Sequence, residues 1–147
     1  MGTNISKHFF PRSRPLVSVE VDRFIIAEDP TREKDLVISI GSEIIECHGR
    51  VLSMYSSFFL LASSYADFRW LGMKCVVLEN ECSPHLVREI IAGIYSCFNC
   101  KANVFKTELW WNKTGLGKSL VSLLHHADYL EIPYLEAGVY HAVTTRY

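Results

Sequence analysis

The spacing between two β-branched runs sets the first constraint on the fold. Asp35-Leu36-Val37-Ile38-Ser39-Ile40 and Glu43-Ile44-Ile45-Glu46-Cys47 stand only Gly41-Ser42 apart, and strands joined by so short a turn form an antiparallel hairpin. From Arg50 the apolar period changes from two to that of a helix. Val51, Leu52 and Tyr55 fall at helical spacing, and Ser57 is placed to cap a second short helix over Phe58 to Ala62. Cys75-Val76-Val77-Leu78, bounded by Lys74 and Glu79-Asn80, has the pattern of a short buried strand. Ser83-Pro84 then sets a capping hydroxyl before a proline at the first helical position, and Leu86, Val87, Ile90, Ile91, Ile94 and Phe98 supply the buried stripe of a long helix. Leu120, Leu123, Leu124, Ala127 and Leu130 predict another helix, and Pro133 restarts a last one through Leu135, Val139 and Val143.

Two segments break this order. Residues 1–34 form an arm punctuated by Pro11 and Pro15, within which Val17, Val19 and Val21 alternate with Ser18, Glu20 and Asp22 as in a half-buried strand. Residues 99–118 lack a sustained period and read as a long surface loop. Within that loop Trp110 and Trp111, with Phe105 and Leu109 nearby, either tuck back on the core or stay exposed as a partner hot spot.

Composition narrows the functional classes. With 147 residues, 49% of them apolar and 21% charged, the chain supports one packed domain. Fifteen Lys and Arg against 16 Asp and Glu give a net charge of -1, so no bulk field draws nucleic acid or anionic lipid. A mean hydropathy of +0.12 is high for so small a domain and points to apolar surface that meets a protein partner. No apolar stretch approaches the roughly 20 residues of a membrane span, and the first residues contain no signal-peptide core. An odd set of five cysteines without an export signal fits reduced thiols, hence an intracellular protein, cytoplasmic or nuclear.

Three constellations could carry chemistry. Cys97 and Cys100 have the spacing of a zinc half-site that His125 and His126 could complete, although adjacent helical residues point about 100° apart. Gly115-Leu116-Gly117-Lys118-Ser119 echoes the end of a phosphate-binding loop but lacks its first glycine and the preceding strand. His48 has no catalytic partner motif and reads as a hydrogen-bonded core residue. No catalytic residue, cofactor site or metal site is therefore assigned, and the zinc or enzymatic use of Cys97, Cys100, His125 and His126 stands as the alternative of another class.

Several separated motifs also resemble a known family. Asp35 to Gly41, then Cys47-His48-Gly49-Arg50-Val51-Leu52-Ser53, then Ser57-Phe58-Phe59 resemble the opening half of a BTB/POZ domain. Val76-Val77-Leu78 before Ser83-Pro84, Ile94-Tyr95-Ser96, and Leu124-His125-His126-Ala127-Asp128-Tyr129-Leu130-Glu131-Ile132-Pro133 are similar to its later half, in the same order. The resemblance implies an α+β fold, a helical cluster flanked by short β-sheets, with a BTB/POZ domain at 35–147 following the arm at 1–34. It implies a non-enzymatic interaction module, a homodimer or a hetero-oligomeric scaffold, of the kind used in transcription regulation and as substrate adaptors of cullin-3 ubiquitin ligases. Asp35, His48, Phe58, Phe59, Tyr95 and Ala127 would be its structural motif residues, and Arg50, Met54, Tyr65, Asp67, Phe68, Trp70, Trp110 and Trp111 the candidate protein contacts.

The chain departs from the family pattern at four places. The arm is strand-like where dimeric members carry a helix. Gly49 follows His48 where transcriptional members place a base, leaving Arg50 one step along. The cullin-binding loop has no glutamate, Tyr65-Ala66-Asp67 being its nearest echo. Cys97 replaces the glycine that ends the long helix, which is expected to run on to Asn99.

Overall fold

The computed structural model describes residues 33–65, 69–70, 72–114 and 120–146. The strand expected around Val17 to Ile26 lies outside them, as do Asp67, Phe68 and the Gly115–Ser119 echo.

The architecture is α+β. Strands β1 (Leu36–Ile40) and β2 (Glu43–Cys47) form the expected hairpin, with Leu36 opposite Cys47 and Ile40 opposite Glu43. Gly41 takes φ 57° in the turn, a left-handed backbone that glycine adopts without strain. The chain then leaves the sheet through α1 (Gly49–Tyr55) and α2 (Ser57–Tyr65) and returns as β3 (Arg69–Trp70) and β4 (Met73–Val77). Strand β4 runs parallel to β1, which gives the strand order β2-β1-β4-β3. Parallel neighbours need a crossover, and α1 and α2 provide it.

The junction between the two crossover helices is built on Ser56 rather than Ser57. Its hydroxyl accepts from Phe59 N at 3.1 Å and donates to Leu130 O at 2.6 Å, so one side chain caps α2 and ties it to a helix 74 residues away. Helix α3 (Pro84–Cys100) begins where Ser83 and Pro84 predict, with Ser83 Oγ accepting from Leu86 N at 3.3 Å. It outruns the expected Asn99 and closes at Lys101, which takes the left-handed conformation at φ 59°. The remaining helices are α4 (Glu108–Thr114), α5 (Leu120–Leu130) and α6 (Pro133–Arg146).

One main core forms where the sheet meets α3, α5 and α6. Ile38, Ile45 and Val76 from the sheet meet Ile90, Ile91 and Ile94 of α3 and Leu123, Ala127, Leu135 and Val139 of the last two helices. Two stripe residues turn out differently from the sequence pattern. Leu124 and Val143 are exposed, and Ala142 occupies the inner position near the end of α6.

The segment expected to be a surface loop is folded from its start to Thr114. Asn103 Oδ1 accepts from Phe105 N at 3.0 Å and opens a 3-10 turn over Val104–Lys106, after which α4 follows. Phe105 is fully buried, and Trp110 and Trp111 retain only 8% and 3% exposure. The three rings stack edge to face, with Phe105 4.9 Å from Trp110 and Trp110 5.3 Å from Trp111. The two tryptophans therefore tuck into the core, and the hot-spot alternative for Trp110 and Trp111 is corrected.

Candidate interaction face

The motif residues around the start of α1 serve to hold the fold. The backbone N–H of His48 donates to the Tyr95 hydroxyl at 2.7 Å, and the same hydroxyl lies 3.2 Å from His48 Nδ1. Asp35 Oδ1 accepts from Gly49 N at 2.8 Å, which satisfies one of the orphan donors of the α1 N-terminus. Phe59 and Ala127 are buried, and Phe58 packs on the Tyr129 ring at 5.0 Å. Arg50 is exposed and sets its guanidinium 5.8 Å from the Phe98 ring centroid. Asp35, Arg50, Ser53, Ser63, Ser64 and Lys74 line a cavity of about 340 Å³. Its polar groups are largely engaged: Lys74 Nζ donates to Ser63 O at 3.0 Å, and Ser63 and Ser64 donate to carbonyls of their own helix.

The constellation weighed for zinc is taken apart by the fold. Cys97 is buried and its Sγ accepts from Val104 N at 3.4 Å, whereas Cys100 is exposed. His126 is buried, with Nε2 accepting from Ser83 N at 3.0 Å and Nδ1 facing Ser122 O at 2.8 Å, while His125 points outward. Among the described residues no three His, Cys, Asp or Glu gather as metal ligands. Burial raises the thiol pKa values of Cys75 and Cys97 and pushes that of Cys82 up to about 11, which disfavours the thiolate form at all three. Burial likewise pushes Tyr129 up to about 12.

What the structure does present is apolar surface on the crossover helices. Helix α2 turns Phe59 inward; on the opposite side Leu61 and Tyr65 are 56% and 79% exposed, and Leu60, about 100° round the helix from Phe59, is 50% exposed. Leu61 and Tyr65 are one turn apart and so share a face. Met54 of α1, also a contact candidate, is 58% exposed. Apolar residues thus stand on both the buried and the exposed sides of the helix, and exposed apolar surface of this kind calls for a covering partner. Ser63 and Ser64 each donate to the carbonyl four residues back at 2.7 Å, so their hydroxyl hydrogens are engaged within the helix. Leu124 and Val121 add exposed apolar surface on α5.

Of the contact candidates, Arg50, Met54 and Tyr65 lie on α1 and α2, Trp70 lies in β3, Trp110 and Trp111 are interior, and Asp67 and Phe68 are outside the described residues. Sequence reading missed Leu60 and Leu61. The signal was present in Phe58-Phe59-Leu60-Leu61, four successive apolar residues that a helix cannot turn to one side.

Among the described residues no helix is long and apolar enough to cross a membrane. No family model matches the chain, and no curated protein matches it.

Proposed function

We propose that this chain is a non-catalytic protein-interaction module of the BTB/POZ type, working inside the cell, which self-associates through the outer face of α1 and α2. The observation that carries the reading is the exposed set Met54, Leu60, Leu61 and Tyr65, beside Ser63 and Ser64 whose hydroxyls donate within their own helix. The parallel pairing of β1 with β4 across a two-helix crossover, followed by the long α3 and the α5–α6 pair, supports the resemblance in element order. Burial of these side chains on both copies supplies the driving force, from which the freedom lost on association must be subtracted.

Sedimentation across a concentration series tests the reading. The unmodified chain should dimerise, and Leu61→Glu with Tyr65→Glu should weaken the dimer at least tenfold without changing the far-ultraviolet circular dichroism. A strict monomer at about 100 μM would overturn self-association. Titration with the N-terminal region of cullin-3 separates a ligase adaptor from a scaffold. Tyr65, the described residue of the nearest cullin-binding echo, is exposed enough to take part. No binding at tens of micromolar would remove the adaptor role.

A further inference from the structure

The sheet has two faces, and only one of them is accounted for by the helices. Side chains alternate along a strand, so Leu36, Ile38 and Ile40 enter the main core while Val37 and Ser39 point the other way. Register places Ile44 of β2 and Cys75 of β4 beside them on this second face. Val37 and Ile44 are 0% exposed and Cys75 is 2% exposed, and they form a cluster of their own whose other described members are the half-buried Met73 and Val77 of β4. Strands 4.7–4.9 Å apart cannot by themselves exclude water from a valine on an open sheet face. No described helix contributes an apolar side chain to this cluster.

We infer that the N-terminal arm of the same chain, through Val17, Val19 and Val21, docks across this second face of the sheet. Thirty-two residues precede the first described position, Glu33, which stands three residues before the start of β1. Val17, Val19 and Val21 alternate with Ser18, Glu20 and Asp22, the pattern of a strand with one face against apolar side chains and one against water. The other segments fit the task less well. Residues 66–68 and 71 flank β3 in the sequence, and β3 is the strand furthest from β2 and its Ile44 in the sheet order. Residues 115–119 join α4 to α5, helices that pack with the opposite face. Ser39 is 0% exposed on the covered face and its hydroxyl has no partner among the described residues, so an extended segment lying there would bring it backbone groups to bond.

Cys75 reports on this contact in the full-length chain, with Cys100→Ser removing the exposed thiol. Maleimide labelling at neutral pH, mapped by mass spectrometry, should find Cys75 protected. Val19→Asp with Val21→Asp should speed its labelling at least tenfold while Cys47 and Cys97 of the main core stay protected. Equal protection of Cys75 in the variant, or protection that disappears on dilution and so comes from a second copy, would overturn the inference. Should the variant lose its whole core, cysteines introduced singly at Val17, Val19 and Val21 give a second reading. At least one should form an intramolecular disulfide with Cys75 under mild oxidation, and failure of all three would also overturn it.

Discussion

The indole Nε1 of Trp111 donates to the carbonyl oxygen of Phe105 at 2.8 Å, closing the segment between α3 and α5 on itself. Both residues are buried, so an unpaired group there would cost about 1–3 kcal/mol. Trp111→Phe should therefore lower the unfolding free energy by about that much. Phe105→Ala, which empties the centre of the aromatic cluster, should cost about 3–5 kcal/mol. Urea unfolding followed by tryptophan fluorescence checks both values. A Phe105→Ala change below 1 kcal/mol would mean that the segment is a surface loop after all.

Phe105 also explains a glycine on the last helix. A Cβ placed on Gly138 would meet the Phe105 Cβ at 2.6 Å and its carbonyl carbon at 2.8 Å, and on α3 a Cβ at Gly93 would run into the Phe105 ring. At Gly138 the obstacle includes backbone, which cannot rotate aside. Alanine usually stabilises a helix interior relative to glycine by about 0.5–1 kcal/mol. Gly138→Ala should reverse that sign and lower the thermal midpoint, whereas at the solvent-facing His141 alanine should leave it nearly unchanged. Equal midpoints for Gly138→Ala and the parent would contradict this close approach.

These contacts show where a sequence stops being legible. The hairpin, the capped start of α3 and the α5 stripe were readable because each is decided by residues close in the chain: Gly41 in the turn, Ser83 before Pro84, Leu123 and Ala127 one turn apart. The packing of Phe105 against Gly93 and Gly138 was not readable, because both glycines look like ordinary helix interruptions until the third element is in place. Ser56 outcompeted Ser57 as a cap for a similar reason, since its second partner, Leu130 O, lies on α5. The exposed apolar surface of α1 and α2 was half legible. Tyr65 and Met54 were named from the sequence as candidate contacts and are exposed, but the outward turn of Leu60 and Leu61 depends on which side Phe59 buries.

His126 joins two helices through its ring, accepting from Ser83 N at 3.0 Å ahead of α3 and facing Ser122 O at 2.8 Å within α5. If hydrogen bonding is its contribution, a side chain of similar volume will not replace it. His126→Ala, which adds a cavity, should destabilise most, and His126→Leu should keep roughly 1–3 kcal/mol of that loss because Ser83 N stays unpaired. Recovery of most of that loss in the leucine variant would show that the site needs only volume.

Alkaline solution should weaken the fold through thiols and phenols it keeps protonated. Burial moves Cys82 from 9.0 up to about 11 and Tyr129 from 10.0 up to about 12, and raises Cys75 in the same sense. Below pH 9 folded and unfolded chains hold these protons alike, so this contribution is flat. Between about 9 and 11 the unfolded chain releases thiol protons that the folded chain retains, so the unfolded state binds fewer protons and stability falls as pH rises. The urea midpoint should accordingly be lower at pH 10.5 than at pH 8. A Cys75→Ala variant, less stable at pH 8 through its cavity, should lose less over the same interval because one of the titrating groups is gone. A midpoint that stays level from pH 8 to 10.5, or a variant that loses as much as the parent, would show that the buried thiols do not govern the alkaline limb.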